Sequence, residues 1–136
     1  EGTRAHERFE FLLANGRTPV KAEVPVPVDR QVILPADLFE EDHDEELVPM
    51  LEWIGGQPGD LYLETRVDFG DVFGYVGLGG TADILLVEPD RITIADLKFG
   101  RGVVEVDRNP QLLTYLFGAV QQFGRRPFYR LAILHP

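Results

Sequence analysis

The chain contains no cysteine. That excludes disulfides, thiolate zinc sites, iron–sulfur clusters and a cysteine nucleophile within these residues. Long hydrophobic runs are also missing: none approaches the roughly 20 apolar residues that a membrane-spanning helix needs. No signal peptide is visible, which is compatible with an intracellular protein and no membrane partner. Basic residues are scarce, 13 Lys and Arg against 23 Asp and Glu, for a net charge of −10. A strongly basic footprint of the kind that tight duplex binding leaves is therefore absent. The glycines at 74, 77, 79 and 80 are followed by no GK[ST], so a nucleotide-binding loop is excluded. The acidic run 37–46 lacks the ligand spacing of an EF-hand.

What is present is 136 residues, 44% hydrophobic and 26% charged, enough for one globular domain over 1–136 with its own core. The acidity is uneven. Residues 1–60 carry 14 acids against 5 bases, and residues 61–136 carry 9 against 8. The chain begins without methionine, at a motif, and ends at Pro136 just after a strand pattern, so a truncation is expected at one or both ends.

Thr3 to about Asn15 reads as a helix, with Thr3 as N-cap, Ala5, Phe9, Leu12 and Leu13 as an apolar stripe, and Gly16 as the stop. Residues 17–36 hold four prolines, and alternating Val24, Val26 and Val28 suggest an extended edge segment. DLFEEDHDEE at 37–46 reads as a solvated segment leading into a short helix through Leu47, Met50, Leu51 and Ile54. Strands are expected at 61–69, 81–88, 91–99 and 128–134, and a helix at 109–124 with Leu112, Leu116, Ala119, Val120 and Phe123 facing inward. GDVFGYVGLGG is either a bulged strand or a loop.

The hairpin TADILLVE-PD-RITIADLKF carries the chemistry. With a turn symmetric about Pro89-Asp90, Glu88 faces Arg91, Val87 faces Ile92 and Asp83 faces Asp96. Facing residues of an antiparallel pair share one side of the sheet, with Cβ atoms roughly 4.5–5.5 Å apart. Two carboxylates there, flanked by Ile84, Leu85, Leu86, Ile92 and Ile94, repel each other and resist burial unless a cation joins them. Magnesium or manganese fits, because such ions take oxygen ligands and keep several waters. Lys98 follows Asp96 by two residues and projects from the same face. The carbonyl of Leu97 between them is a further oxygen donor. A metal polarises a phosphate oxygen and lowers the pKa of bound water, and an ammonium nearby offsets charge in the transition state. Asp83, Asp96 and Lys98 thus have the parts for phosphodiester hydrolysis.

Asp83 in GTAD followed by Asp96-Leu97-Lys98 in IADLK resembles the split signature of the PD-(D/E)XK nucleases. Gln111 and Tyr115 in QLLTY resemble the Q-x-x-x-Y motif of the RecB-like exonuclease branch, and GTRAHE resembles its G-x-x-x-H pattern. The run from GTADILLVE to NPQLLTYLFGA is similar to a phage and prophage family of such nucleases. The resemblance implies an α/β restriction-endonuclease-like core, a central mixed β-sheet flanked by helices. It implies His6 as a metal ligand beside Asp83, Asp96 and Leu97, with Gln111 and Tyr115 at the substrate or behind the ligands. It also implies exonuclease activity on DNA in the cytoplasm of a bacterial or phage-infected cell, with recombination proteins or further copies of the chain as partners.

Glu64 is either a further ligand or the ion-pair partner of Arg66 or Arg101. Arg101, Arg108, Arg125 and Arg126 are candidates for phosphate contact, of which one or two are expected to serve. Two other classes of function fit parts of the sequence: the same fold kept as a silent nucleic-acid-binding or assembly module, and an acidic interaction protein mimicking nucleic acid.

Overall fold

The computed structural model describes residues 2–19, 25–29, 36–68, 79–99, 106 and 109–136. Among these, three α-helices, α1 (Gly2–Leu13), α2 (Val48–Gly55) and α3 (Pro110–Phe123), accompany four strands. The strands are β1 (Asp60–Asp68), β2 (Gly79–Val87), β3 (Arg91–Leu97) and β4 (Phe128–Leu134). They form one sheet in the order β1-β2-β3-β4. The first three are antiparallel neighbours, and β4 lies parallel to β3 after the crossover through α3. This is a mixed α/β fold. No helix among the described residues is long and apolar enough to cross a membrane.

The hairpin has the register its turn predicts. Val87 pairs with Ile92, Leu86 with Thr93, Leu85 with Ile94 and Ile84 with Ala95. Successive side chains of a strand point to opposite faces, and both faces here are covered. Ile84, Leu86, Ala95 and Leu97 pack with Leu61, Leu63 and the inner residues of α1 and α2. Leu85, Ile92 and Ile94 pack with Tyr62, Leu112 and Ala119 on the α3 side. Ile84, Leu85, Leu86, Ile92 and Ile94 are fully buried, each contributing roughly 1.5–3 kcal/mol relative to an exposed position.

α3 begins where the sequence signals a start. The Asn109 side chain accepts N–H bonds from Gln111 and Leu112 at 3.0 and 3.2 Å, and Pro110 occupies the first turn, where it has no hydrogen bond to lose. α1 departs from expectation at both ends. It includes Gly2, so Thr3 lies within the helix. Its stop is Asn15 and Gly16 together. Asn15 takes the left-handed conformation (φ 58°), and the Asn15 and Gly16 amides donate back to Leu12 and Phe11.

Two further expectations change. Residues 25–29 form no strand; Val28 alone donates to the Leu61 carbonyl on β1 at 2.7 Å, and Val26 is exposed. Proline at 25 and 27 removes the donors that a ladder would need. Val24 and most of the glycine-rich stretch lie outside the described residues. The acidic run is not wholly solvated: Asp44 is buried. It accepts from Arg8 Nε at 2.9 Å and Nη2 at 2.7 Å, and from the backbone of Glu40 and Glu41. The Arg8 bond and these amides outweigh burial and hold its carboxyl down at about 2. The pair fastens α1 to the turn (Asp44–Leu47) that leads into α2.

Candidate metal and catalytic centre

At the end of the sheet where β3 finishes, Asp83 and Asp96 meet. Their carboxyl groups are hydrogen-bonded to one another. The Leu97 amide donates to Asp83 Oδ2 at 2.9 Å, and His6 Nε2 lies 3.4 Å from the same oxygen. Lys98 Nζ lies 2.7 Å from Asp96 Oδ2. Lys98 follows the last residue of β3, but its amide still donates to Leu134 of β4, which fixes its position. His6 arrives from α1, whose core residues Phe9 and Leu13 are buried against the sheet. The edge of the His6 ring meets Phe99, with centroids 5.1 Å apart.

The two acids have opposite proton affinities. Burial and the neighbouring Asp96 push Asp83 up to about 7, against the opposing Leu97 amide and His6. Burial also disfavours charge on Asp96, but the bonds from Asp83 and Lys98 outweigh it and hold that carboxyl below its usual range. Of the two, Asp83 is therefore the acid that keeps a proton to higher pH and Asp96 the one that favours the charged form. The bond to Asp96 raises the Lys98 pKa against its partial burial, so the lysine is an ammonium here and not a base.

A family model described as "Protein of unknown function (DUF2800)" matches residues 1–129. The chain belongs to that family. No solved structure matches this DUF2800 chain.

The remaining candidates of the DUF2800 chain fall around this pair. Gln111 Nε2 donates to the Tyr115 hydroxyl at 3.1 Å on the exposed side of α3. The Tyr115 ring rests against Gly80 of β2, where a Cβ would stand 2.7 Å from Cε1. Tyr115 also lies near enough to Lys98 to act on its charge. Glu64 sits in β1 with φ 47°, a left-handed conformation unusual for a strand residue. The β1–β2 pairing skips it, resuming with Leu63–Ile84 on one side and Thr65–Ala82 on the other. That break falls opposite Asp83. Glu64 and His6 also share the wall of a cavity of about 800 Å³ that runs along α1. Arg101 and Arg108 lie outside the described residues. Arg126 donates to the carbonyls of Glu88, Phe123, Gly124 and Arg125 and so fastens the end of α3. Leu97 stands between Asp96 and Lys98, and its amide is the group bonded to Asp83.

Sequence reasoning missed Gly80, Phe99 and the Arg8–Asp44 pair. Gly80 had a weak signal, as a strand glycine marks a close approach. The other contacts link distant segments and leave no local signature.

The donor chemistry fits a hard divalent cation. Two carboxylates in contact, one retaining a proton near neutral pH, are a site where a cation can replace that proton. Among the described residues no group of three or more histidine and acidic side chains forms a ready metal cage. Such a cation would therefore keep several waters, as magnesium does when held by one or two carboxylates.

Proposed function

We propose that this domain is a metal-dependent deoxyribonuclease of the PD-(D/E)XK type, an exonuclease resembling the RecB-like branch. The observation that carries this reading is the continuous contact from His6 to Asp83, Asp96 and Lys98 at the end of the central hairpin. The order two helices, three strands, helix, strand and the helix-flanked mixed sheet support the restriction-endonuclease-like core that the motifs imply.

Asp83 and Asp96 would hold Mg²⁺ or Mn²⁺, with His6 as a nitrogen donor. When bound, the metal polarises the scissile phosphate and lowers the pKa of a coordinated water. The Leu97 amide holds Asp83 in place throughout. Lys98, as an ammonium, orients the water by hydrogen bonding and offsets charge on the phosphate oxygens. Lys98, already an ammonium, cannot take the water's proton, which would pass through solvent as the P–O bond to the leaving oxygen breaks and that oxygen is protonated. Tyr115, backed by Gly80 and bonded to Gln111, stands beside Lys98 to position the substrate backbone.

The test incubates linear and circular DNA with Mg²⁺, Mn²⁺ or EDTA. Degradation of linear DNA alone, dependent on metal and lowered at least ~100-fold by Asp83→Ala and by Lys98→Ala, is the expected result. Undiminished cleavage by a folded Lys98→Ala protein would overturn the mechanism. Nicking of circles would replace exonuclease with endonuclease. Binding without turnover in any metal would favour the silent module.

A further inference from the structure

The opposite end of the same sheet carries a feature that hydrolysis does not use. β3 and β4 run parallel, so their first residues, Arg91 and Phe128, are neighbours. This end lies roughly 17 Å from Asp96 at a strand rise of about 3.3 Å per residue. It displays the segment RRPFYR, residues 125–130. Phe128 is 62% exposed and Tyr129 43%, and Arg125 is exposed. Residues 124–136 contain Arg125, Arg126 and Arg130 and no acid, in a chain whose net charge is −10.

Alternation of side chains places Arg91, Phe128, Thr93 and Arg130 on one face. Arg130 confirms it, donating to Thr93 Oγ1 at 3.1 Å and to Gln57 Oε1 at 2.8 Å. Its guanidinium lies over the Trp53 ring, 5.0 Å from the centroid. Both of those acceptors are neutral. Arg91 and Arg130 are close enough to repel, and Phe128 is the strand neighbour of Arg91. Glu88 is engaged by Arg91 at 2.8 Å, and the exposed acids at this end are Asp90 of the adjoining turn and Asp60 at the start of β1, against the four arginines Arg91, Arg125, Arg126 and Arg130.

We propose that this end of the sheet, formed by Arg91, Arg125, Phe128 and Arg130, binds a single strand of nucleic acid. Arginines beside an exposed ring match the two repeating features of such a strand, phosphates and unstacked base faces. A duplex fits less well, because its bases present no free face to Phe128 and its charge density meets an acidic protein. The proposal extends the nuclease reading by giving the uncut part of a substrate strand a second hold, away from the metal centre.

Fluorescence anisotropy of a labelled oligothymidylate tests it, with EDTA present so that no cleavage occurs. Phe128→Ala is expected to weaken binding roughly tenfold by loss of one stacked base. Arg125→Ala is expected to weaken it several-fold and to reduce the slope of log affinity against log salt by about 0.7. Both residues are exposed, so circular dichroism should show an unchanged fold. Unchanged affinity in both variants, no binding by the unaltered protein, or an effect of Phe128→Ala on self-association instead of oligonucleotide binding would each overturn the proposal. Metal-dependent cleavage by the unaltered protein is scored separately: its presence without oligonucleotide binding removes this surface alone, and its absence with binding intact removes the nuclease reading alone.

Discussion

Asp83 accepts the amide of Leu97 across the β2–β3 pair, at 2.9 Å from Oδ2. The bond ties one carboxylate of the site to the backbone that carries the other, since Asp96 directly precedes Leu97. Relative motion of the two acids therefore requires distortion of the central hairpin. The proposed cation site gains from such fixing.

The raised pKa of Asp83 makes the metal-free protein sensitive to pH. Its folded value is about 7, against an ordinary 3.8. The folded state therefore favours the protonated acid. The resulting destabilisation is absent below about pH 4, grows as pH rises, and is complete above pH 7. Asp83→Asn is expected to raise the Tm at pH 8 in EDTA and to change it little at pH 4. Equal shifts at both pH values, in thermal melts followed by circular dichroism, would contradict the assignment.

Cation and proton compete for Asp83. Mg²⁺ or Mn²⁺ should raise the Tm clearly at pH 8, by about 2.7 kcal/mol of stability at a hundredfold excess over Kd, and much less at pH 5.5. Asp83→Ala should abolish the gain. Calorimetric titration should also show proton release on metal binding near pH 6.5, where Asp83 is largely protonated.

The Arg8–Asp44 pair should dominate acid lability on the α1 side. Asp44 is held at about 2 by Arg8 and two backbone amides. Its stabilisation is present in full above its ordinary value of 3.8 and is lost as pH falls towards 2. The contribution is about 2 kcal/mol. Urea titrations at pH 7, 4 and 2.5 should show Asp44→Asn flattening the fall between the last two. Asp44→Ala should cost more at neutral pH, about 3 kcal/mol, because a largely buried guanidinium loses its main counter-charge and keeps the Leu38 carbonyl and Glu41 at 3.8 Å as partners.

Gly80 should tolerate no side chain without moving Tyr115. A Cβ at this position would stand 2.7 Å from the ring. Gly80→Ala is expected to cost about 1–3 kcal/mol by overpacking and to lower cleavage beyond the effect of Tyr115→Phe, which removes only the hydroxyl and its bond from Gln111. Denaturant midpoints and cleavage rates of the two variants, measured together, decide the point.

Much of this was legible in the sequence because it depended on local pattern. The turn at Pro89-Asp90 specified the hairpin register, and that register put Asp83 and Asp96 side by side. Asn109-Pro110 marked the start of α3, and spacing of four residues put Gln111 and Tyr115 on one side of it. The left-handed Glu64 was not legible, since glutamate carries no preference for that conformation. Asp44 was misread as solvated because nothing local announces that Arg8, on another helix, will bury and pair with it.

By itself, then, the sequence determined the strands, the pairing within the central hairpin and the identity of the acid–acid–lysine set, because periodicity and turn chemistry act between near neighbours. That β1 joins β2 and that β4 runs parallel to β3 came from the tertiary structure. Tertiary structure decided which imidazole approaches Asp83, which of the two acids keeps the proton, and that arginines and an exposed phenylalanine gather at the far end of the sheet. Those outcomes depend on burial and on charges brought together from distant segments, and burial exists only once the chain has closed around its core.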